Sequence, residues 1–306
     1  MSYIIYYNQF IKGENCNFYD YTEEKFDIQL EYDGVWEENF IAQVDIDIES
    51  ISISCNEEID LTFFERKMKN IKEISIRCKS IRNANSLSKL NSLTNLSIIT
   101  YKNSDTTFDF PDSLKSLTVI CHKNFIIKKI PTKLEFLSLE NFKYFNEIEN
   151  FNELNNLKKI ELTNCHFVDM NKILNLKNLI YIAMYKCQLI FKSDNFQNFC
   201  VKYINFEKIR FENVNWITNL QEIDILILDD CGEIESLKHL ENKKTLRGLS
   251  INGKTKIIDG DFNFLETLLN LKNCSITSHK NYTHKSILFW NWDNFDKDKI
   301  ECFVKK

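Results

Sequence analysis

Ten cysteines and five histidines are the side chains of this sequence best suited to nucleophilic or metal chemistry, and their spacing supports neither. No Cys-x-x-Cys pair occurs and no histidine joins a ligand cluster, so the four-ligand arrangement zinc requires has no sequence counterpart. Cys165, Cys187, Cys231 and Cys274 each stand three residues after the last aliphatic of a short apolar phrase, a recurrence that marks packing groups. Cys16, Cys55, Cys78, Cys121, Cys200 and Cys302 follow no evident pattern. His166 falls on a bend beside one of these cysteines and His239 in a segment of triplet spacing, while His279 and His284 read as loop. The adjacent carboxylates Asp229 and Asp230 lack an acid–base partner in sequence. No phosphate-cradling Gly-x-x-x-x-Gly-Lys, no Gly-x-Gly-x-x-Gly, no His-Glu-x-x-His and no Gly-x-Ser-x-Gly is present. The expectation is a protein with no catalytic residue, no metal and no cofactor.

The elements that carry these residues announce themselves more clearly. Between residues 46 and 276 one phrase recurs eleven times: aliphatic, two variable residues, aliphatic, one variable, aliphatic. Its clearest copies are Leu157-x-x-Ile160-x-Leu162-x-x-Cys165-x-Phe167 and Leu179-x-x-Ile182-x-Met184-x-x-Cys187-x-Leu189. Taking the second aliphatic as anchor gives Ile51, Ile74, Leu96, Leu117, Leu137, Ile160, Ile182, Ile204, Leu226, Leu249 and Leu269, in steps of 20 to 23 residues. Alternate aliphatics predict a short strand with one face inward. A lone strand of this kind cannot bury its apolar face, so the copies must stack. Between strands the apolar residues run in threes, as in Ile234-x-x-Leu237-x-x-Leu240, which suits 3-10 turns or short helices.

The phrase resembles the leucine-rich repeat, L-x-x-L-x-L-x-x-N/C-x-L, over about three quarters of the chain. Its short period is similar to that of the internalin-like bacterial class, although the proline usual in the convex segment is missing and the asparagine slot is often cysteine. The resemblance implies an α/β solenoid: a curved horseshoe with a parallel concave sheet of about eleven strands, 3-10 or short helical convex segments, and capped ends. Residues 1–45 are expected to form the N-terminal cap, 46–276 the repeats and 277–306 the C-terminal cap. Phe26-x-Ile28-x-Leu30-x-Tyr32 alternates and reads as a strand within the first, and Ile287, Leu288, Phe289, Trp290 and Trp292 cluster in the last.

Composition narrows the function classes. The 306 residues are 43% hydrophobic and 27% charged, with a formal charge of −5, values of a soluble globular chain. No basic stripe follows the repeat period, which argues against nucleic acid; Lys143, Lys158 and Lys159 read as solvated surface. The amino terminus lacks a signal-peptide pattern and no segment reaches the roughly 18 apolar residues of a membrane span. The expected location is the cytoplasm, with reduced cysteines.

Function is expected on the outward face of the strands, where this family usually holds a protein partner. Early copies present small hydroxylic residues such as Ser50, Ser52 and Ser54. Residues 136 to 230 differ, offering Phe136, Glu140, Lys159, Glu161, Tyr181, Tyr185, Tyr203, Glu207, Asp229 and Asp230. Aromatic anchors rimmed by carboxylates predict a protein-binding site for a partner with a basic surface. Aromatic and β-branched residues also suit strands on their own account. The concrete expectation is a non-catalytic interaction module, an immunity or inhibitor protein neutralising a cognate toxin. The alternatives are an effector or adaptor that recognises a host protein, and an enzyme with its site in the terminal segments around His279 and His284.

Overall fold

The computed structural model describes residues 2–7, 28–33, 48–102, 106–122, 125–143, 145–191, 200–211, 213–284 and 287–289. The chain divides into two compact units, the first running to Leu154 and the second starting at Asn155. In the first, strands Ile28–Asp33, Ser50–Ser54, Glu73–Cys78, Asn95–Thr100, Ser116–Ile120 and Phe136–Glu140 pair in parallel. Their register sets Leu30, Ile51, Ile74, Leu96, Leu117 and Leu137 opposite one another. Ser2–Tyr7 closes this run antiparallel to Ile28–Asp33. In the second unit the parallel strands are Lys159–Thr163, Tyr181–Tyr185, Tyr203–Glu207, Ile225–Asp229, Gly248–Asn252 and Asn273–Ile276, with Ile287–Phe289 antiparallel at the end. The anchors Ile160, Ile182, Ile204, Leu226 and Leu249 align and are fully buried, as the phrase predicts.

The last anchor is a correction. Leu249 pairs with Cys274 and not with Leu269, which is 84% exposed. Leu269 falls in the turn that leaves the 3-10 piece Asn263–Thr267, its N–H bonded to the Thr267 carbonyl, so the coil runs longer before the next strand starts. Cys274 is therefore a strand residue and not a member of the slot that follows one.

That slot has its own local cause. Asn141, Asn164, Lys186, Lys208, Asp230 and Gly253 each follow a strand with φ between 50° and 62°, a left-handed turn that redirects the next side chains. Phe142, Cys165, Cys187, Ile209 and Cys231 point inward as a result. In the first unit Cys55, Cys78, Thr100 and Cys121 sit two positions past the last inward aliphatic of their strands, all buried and spaced by 23, 22 and 21 residues. Three cysteines without an evident pattern thus form a second inward ladder.

Phe167, the last residue of its phrase, is 49% exposed with φ 54°. Val168 takes its place, opposite Leu189, because the coil carries one extra residue after Cys165. On the far side of the coils the triplet spacing yields short helices Thr62–Lys67 and Met170–Leu174 and 3-10 pieces such as Ala84–Lys89, Asn215–Asn219 and Lys238–Leu240. Phenylalanines fill the first core: Phe125 meets Phe108 at 5.9 Å and Phe142 at 5.0 Å between ring centroids.

The second unit ends on a side-chain clip. Tyr282 Oη accepts from the Ile257 N–H at 2.8 Å and Thr283 Oγ1 from the Phe262 N–H at 3.0 Å, while the Thr283 N–H donates to the Gly260 carbonyl at 2.9 Å. Trp290, Trp292 and most of 1–45 lie outside the described residues. Among the described residues no helix is long and apolar enough to cross a membrane.

Candidate protein-binding face

Phe136 and Glu140 lie half-buried at the two ends of the Phe136–Glu140 strand in the first unit. The other eight candidates belong to the second unit, where strand register sorts all but Glu161 into two rows. At the N-terminal ends of the strands Lys159, Tyr181, Tyr203 and Ile225 stand opposite one another. At the C-terminal ends the row is Thr163, Tyr185, Glu207 and Asp229, with Asp230 in the turn that follows.

The first row is held by its own stacking. The Tyr181 and Tyr203 rings lie 4.4 Å apart and 3° from parallel. Lys159 Nζ covers the Tyr181 ring, 4.8 Å from its centroid, and pairs with Glu161 Oε1 at 2.9 Å. Lys159 is only 8% exposed, contrary to the solvated position expected of it, because its stem packs in the row while its ammonium finds a carboxylate and a ring. Burial raises the phenol pKa of Tyr181 and of Tyr203; at Tyr181 the neighbouring Tyr203 and the Glu161 charge add to it. Ile225, 3% exposed beside Tyr203, closes the end of this row, whose two rings are half-buried.

The second row is charged and half-buried, with its turn lysines exposed. Lys208 Nζ donates to Tyr185 Oη at 3.1 Å and to Glu207 Oε1 at 3.2 Å, and lies 4.8 Å from the Tyr185 centroid. Lys186 Nζ lies 5.0 Å from the same centroid. Hydrogen bonds from Lys208 and Lys186 lower the Tyr185 phenol pKa, and the same phenol, with Glu207, raises that of Lys208. Both lysines occupy the left-handed turn where other coils use Asn, Asp or Gly. Neither stood among the predicted site residues; the available signal was their identical placement, directly after Tyr185 and Glu207 and 22 residues apart.

Further along, the Asp229 carboxyl is held above the usual carboxylate range, first by partial burial and then by Asp230 and Glu207, against the opposing pull of Lys208. Asp230 Oδ1 accepts from the Lys254 N–H at 2.8 Å. Gly253 lets both carboxylates approach, since a β-carbon there would collide with Asp229 and Asp230. The face is therefore not uniformly acidic: Glu161 and Glu207 already carry lysine partners, and the excess negative charge collects at Asp229 and Asp230.

The ladder thiols behind the face are built for packing. Cys231 Sγ donates to the carbonyls of Phe206 and Asp229, both at 3.3 Å, and burial pushes its pKa up to about 11. Cys187 Sγ reaches the Leu162 carbonyl of the preceding coil at 3.3 Å. Among the described residues no group of three or more His, Cys, Asp and Glu side chains is arranged to hold a metal ion. His239 lies 3.0 Å from Thr218 Oγ1, His284 lies 3.0 Å from Thr283 Oγ1, and the His279 ring packs 5.0 Å from Tyr282.

No family model matches the chain, and no curated protein sequence is similar to it. Solved structures are. An internalin from Listeria monocytogenes superposes with a TM-score of 0.52 at 14% identity, over 77% of this chain and 68% of its own. A leucine-rich-repeat protein of Leptospira interrogans gives 0.50 at 16% identity, over 88% and 79%. With the parallel ladder, its anchors and the slot after each strand, this likeness establishes that the chain has the leucine-rich-repeat fold.

Proposed function

We propose that the chain is a protein-binding module whose contact surface is the row Tyr185, Glu207 and Asp229 with its turn residues Lys186, Lys208 and Asp230. The observation that carries this reading is the contrast between the two rows. The Lys159–Tyr181–Tyr203 row satisfies its own rings and charges, whereas the Tyr185 row sets a half-buried ring under exposed lysines and leaves its carboxylates crowded. Crowded like charge is relieved by a partner's cation, so the complement is a basic protein surface meeting Asp229 and Asp230. A chain of this kind acting in the cytoplasm is suited to neutralise a basic toxin as its dedicated inhibitor. That step rests on the chemistry of the face and on analogy with the fold.

Affinity capture of the tagged protein from its own organism's lysate, washed at moderate and at high salt, tests the reading. A single stoichiometric basic partner that is lost on Asp229→Lys and on Tyr185→Ala, with the melting temperature kept, supports it. Undiminished capture by both variants would move the contact elsewhere, and capture of nothing would remove the inhibitor reading.

A further inference from the structure

Beneath the Tyr185 row, two thiols share one position in consecutive coils. Cys165 and Cys187 both point inward, 0% and 6% exposed. Backbone hydrogen bonds bracket them on either side, from the Asn164 N–H to the Tyr185 carbonyl at 2.8 Å and from the Gln188 N–H to the Cys165 carbonyl at 2.9 Å. The two residues are thereby held at ladder spacing, about 4.8 Å between backbones, within the 4.4–6.8 Å that a disulfide spans between α-carbons. Both are reduced.

We propose that Cys165 and Cys187 form an oxidisable dithiol that a small hydroperoxide converts to a disulfide joining two adjacent coils. Cys187 reacts first, because it is the more exposed of the two and because the Cys165 side chain hydrogen-bonds it and favours its thiolate. Its sulfur takes one peroxide oxygen to give a sulfenic acid, and the other leaves as water with the thiol proton. The Cys165 thiol then displaces the hydroxyl from the Cys187 sulfur, releasing a second water. In sum two thiols lose two electrons and two protons, and one peroxide is reduced to two waters. Burial selects a small oxidant over a bulky disulfide such as oxidised glutathione. The Cys55 and Cys78 pair, also on adjacent coils, is set apart because burial pushes Cys78 up to about 12 and keeps it a thiol. The link would lie one residue past Lys186 and so tie down the turn that holds this lysine over Tyr185.

The test treats the full-length protein with hydrogen peroxide, counts thiols after unfolding, and maps cross-linked peptides by mass spectrometry. Loss of two of the ten thiols, recovered by dithiothreitol, with one cross-link between Cys165 and Cys187, is the expected result. A cross-link confined to any other pair, or an unchanged thiol count at peroxide levels that oxidise free cysteine in the same solution, would overturn the proposal. Oxidation by glutathione disulfide at the same rate as by peroxide would overturn its small-oxidant selectivity. In Cys165→Ala a sulfenic-acid trap should label Cys187; labelling of other ladder cysteines and not of Cys187 would contradict the assigned order. Should that variant fail to fold, the cross-link map of the unsubstituted protein still decides.

Discussion

Tyr181 and Tyr185 stand four positions apart at the two ends of one strand and face the same way, yet their surroundings differ in kind. Tyr181 is clamped between Lys159 and Tyr203, so Tyr181→Ala loses a stacked aromatic pair and buried area, a cost of about 2 kcal/mol. Tyr185→Ala removes a half-buried ring covered by exposed lysine side chains and should cost less, about 0.5–1 kcal/mol. Urea denaturation of the two variants checks this, and equal losses would refute the division into rows. Asp229 makes a prediction in pH. Its folded-state carboxyl titrates above its unfolded value, so between the two the folded chain holds a proton that the unfolded chain has released. Stability therefore falls as pH rises through that interval, and the penalty is complete at neutral pH. Asp229→Asn should stabilise the protein by roughly 0.5 kcal/mol at about pH 7, with no gain at about pH 3, where both states are protonated. A less stable Asn variant at neutral pH would mean the carboxylates are not in conflict. The tyrosines and carboxylates of the face were legible because a strand turns every second residue outward. Lys186 and Lys208 were not, since their reach depends on a left-handed turn that periodicity does not encode.

At the level of one coil, the anchors from Ile51 to Leu249 were legible as a period, and each pairs with its neighbour within its unit. Period reading failed where a coil changes length. The extra residue before Val168 exposes Phe167, and the longer last coil puts Cys274 where Leu269 was expected. The Cys55, Cys78 and Cys121 ladder escaped notice for a related reason: it sits two positions past the last inward aliphatic of its strand, where the repeat phrase places its residue three past. Thr100 is the odd member of that ladder. Its buried hydroxyl lies beside the Cys121 thiol, a poor acceptor, and makes no other hydrogen bond among the described residues. Thr100→Val keeps the shape and removes the stranded polar group, so it should stabilise the fold by about 0.5–1 kcal/mol. A loss of stability in thermal or chemical denaturation would show that the hydroxyl is satisfied in solution.

For a stacked-repeat chain, stability is a sum of coils and of contacts between neighbours, so the outermost coil is the weakest and its closure matters most. The sequence pointed to Ile287–Trp292 for that task at the C-terminal end; Ile287–Phe289 pairs antiparallel with Asn273–Ile276 there, and Tyr282 with Thr283 adds a clip the sequence did not show. A lone tyrosine outside the repeats carries no periodic signal, and its role rests on a single hydroxyl reaching a backbone N–H that a further coil would otherwise have bonded. Tyr282→Phe leaves that buried Ile257 N–H without an acceptor, at a cost of about 1–3 kcal/mol. The loss is local in a nearest-neighbour chain, so hydrogen exchange should quicken at Ile257 and in Asn273–Ile276. Protection at Ile204 and Leu226, three and two coils inside, should hold. Uniformly faster exchange through the second unit would instead mean that it opens as one cooperative block, with the clip stabilising the whole block and not its last coil.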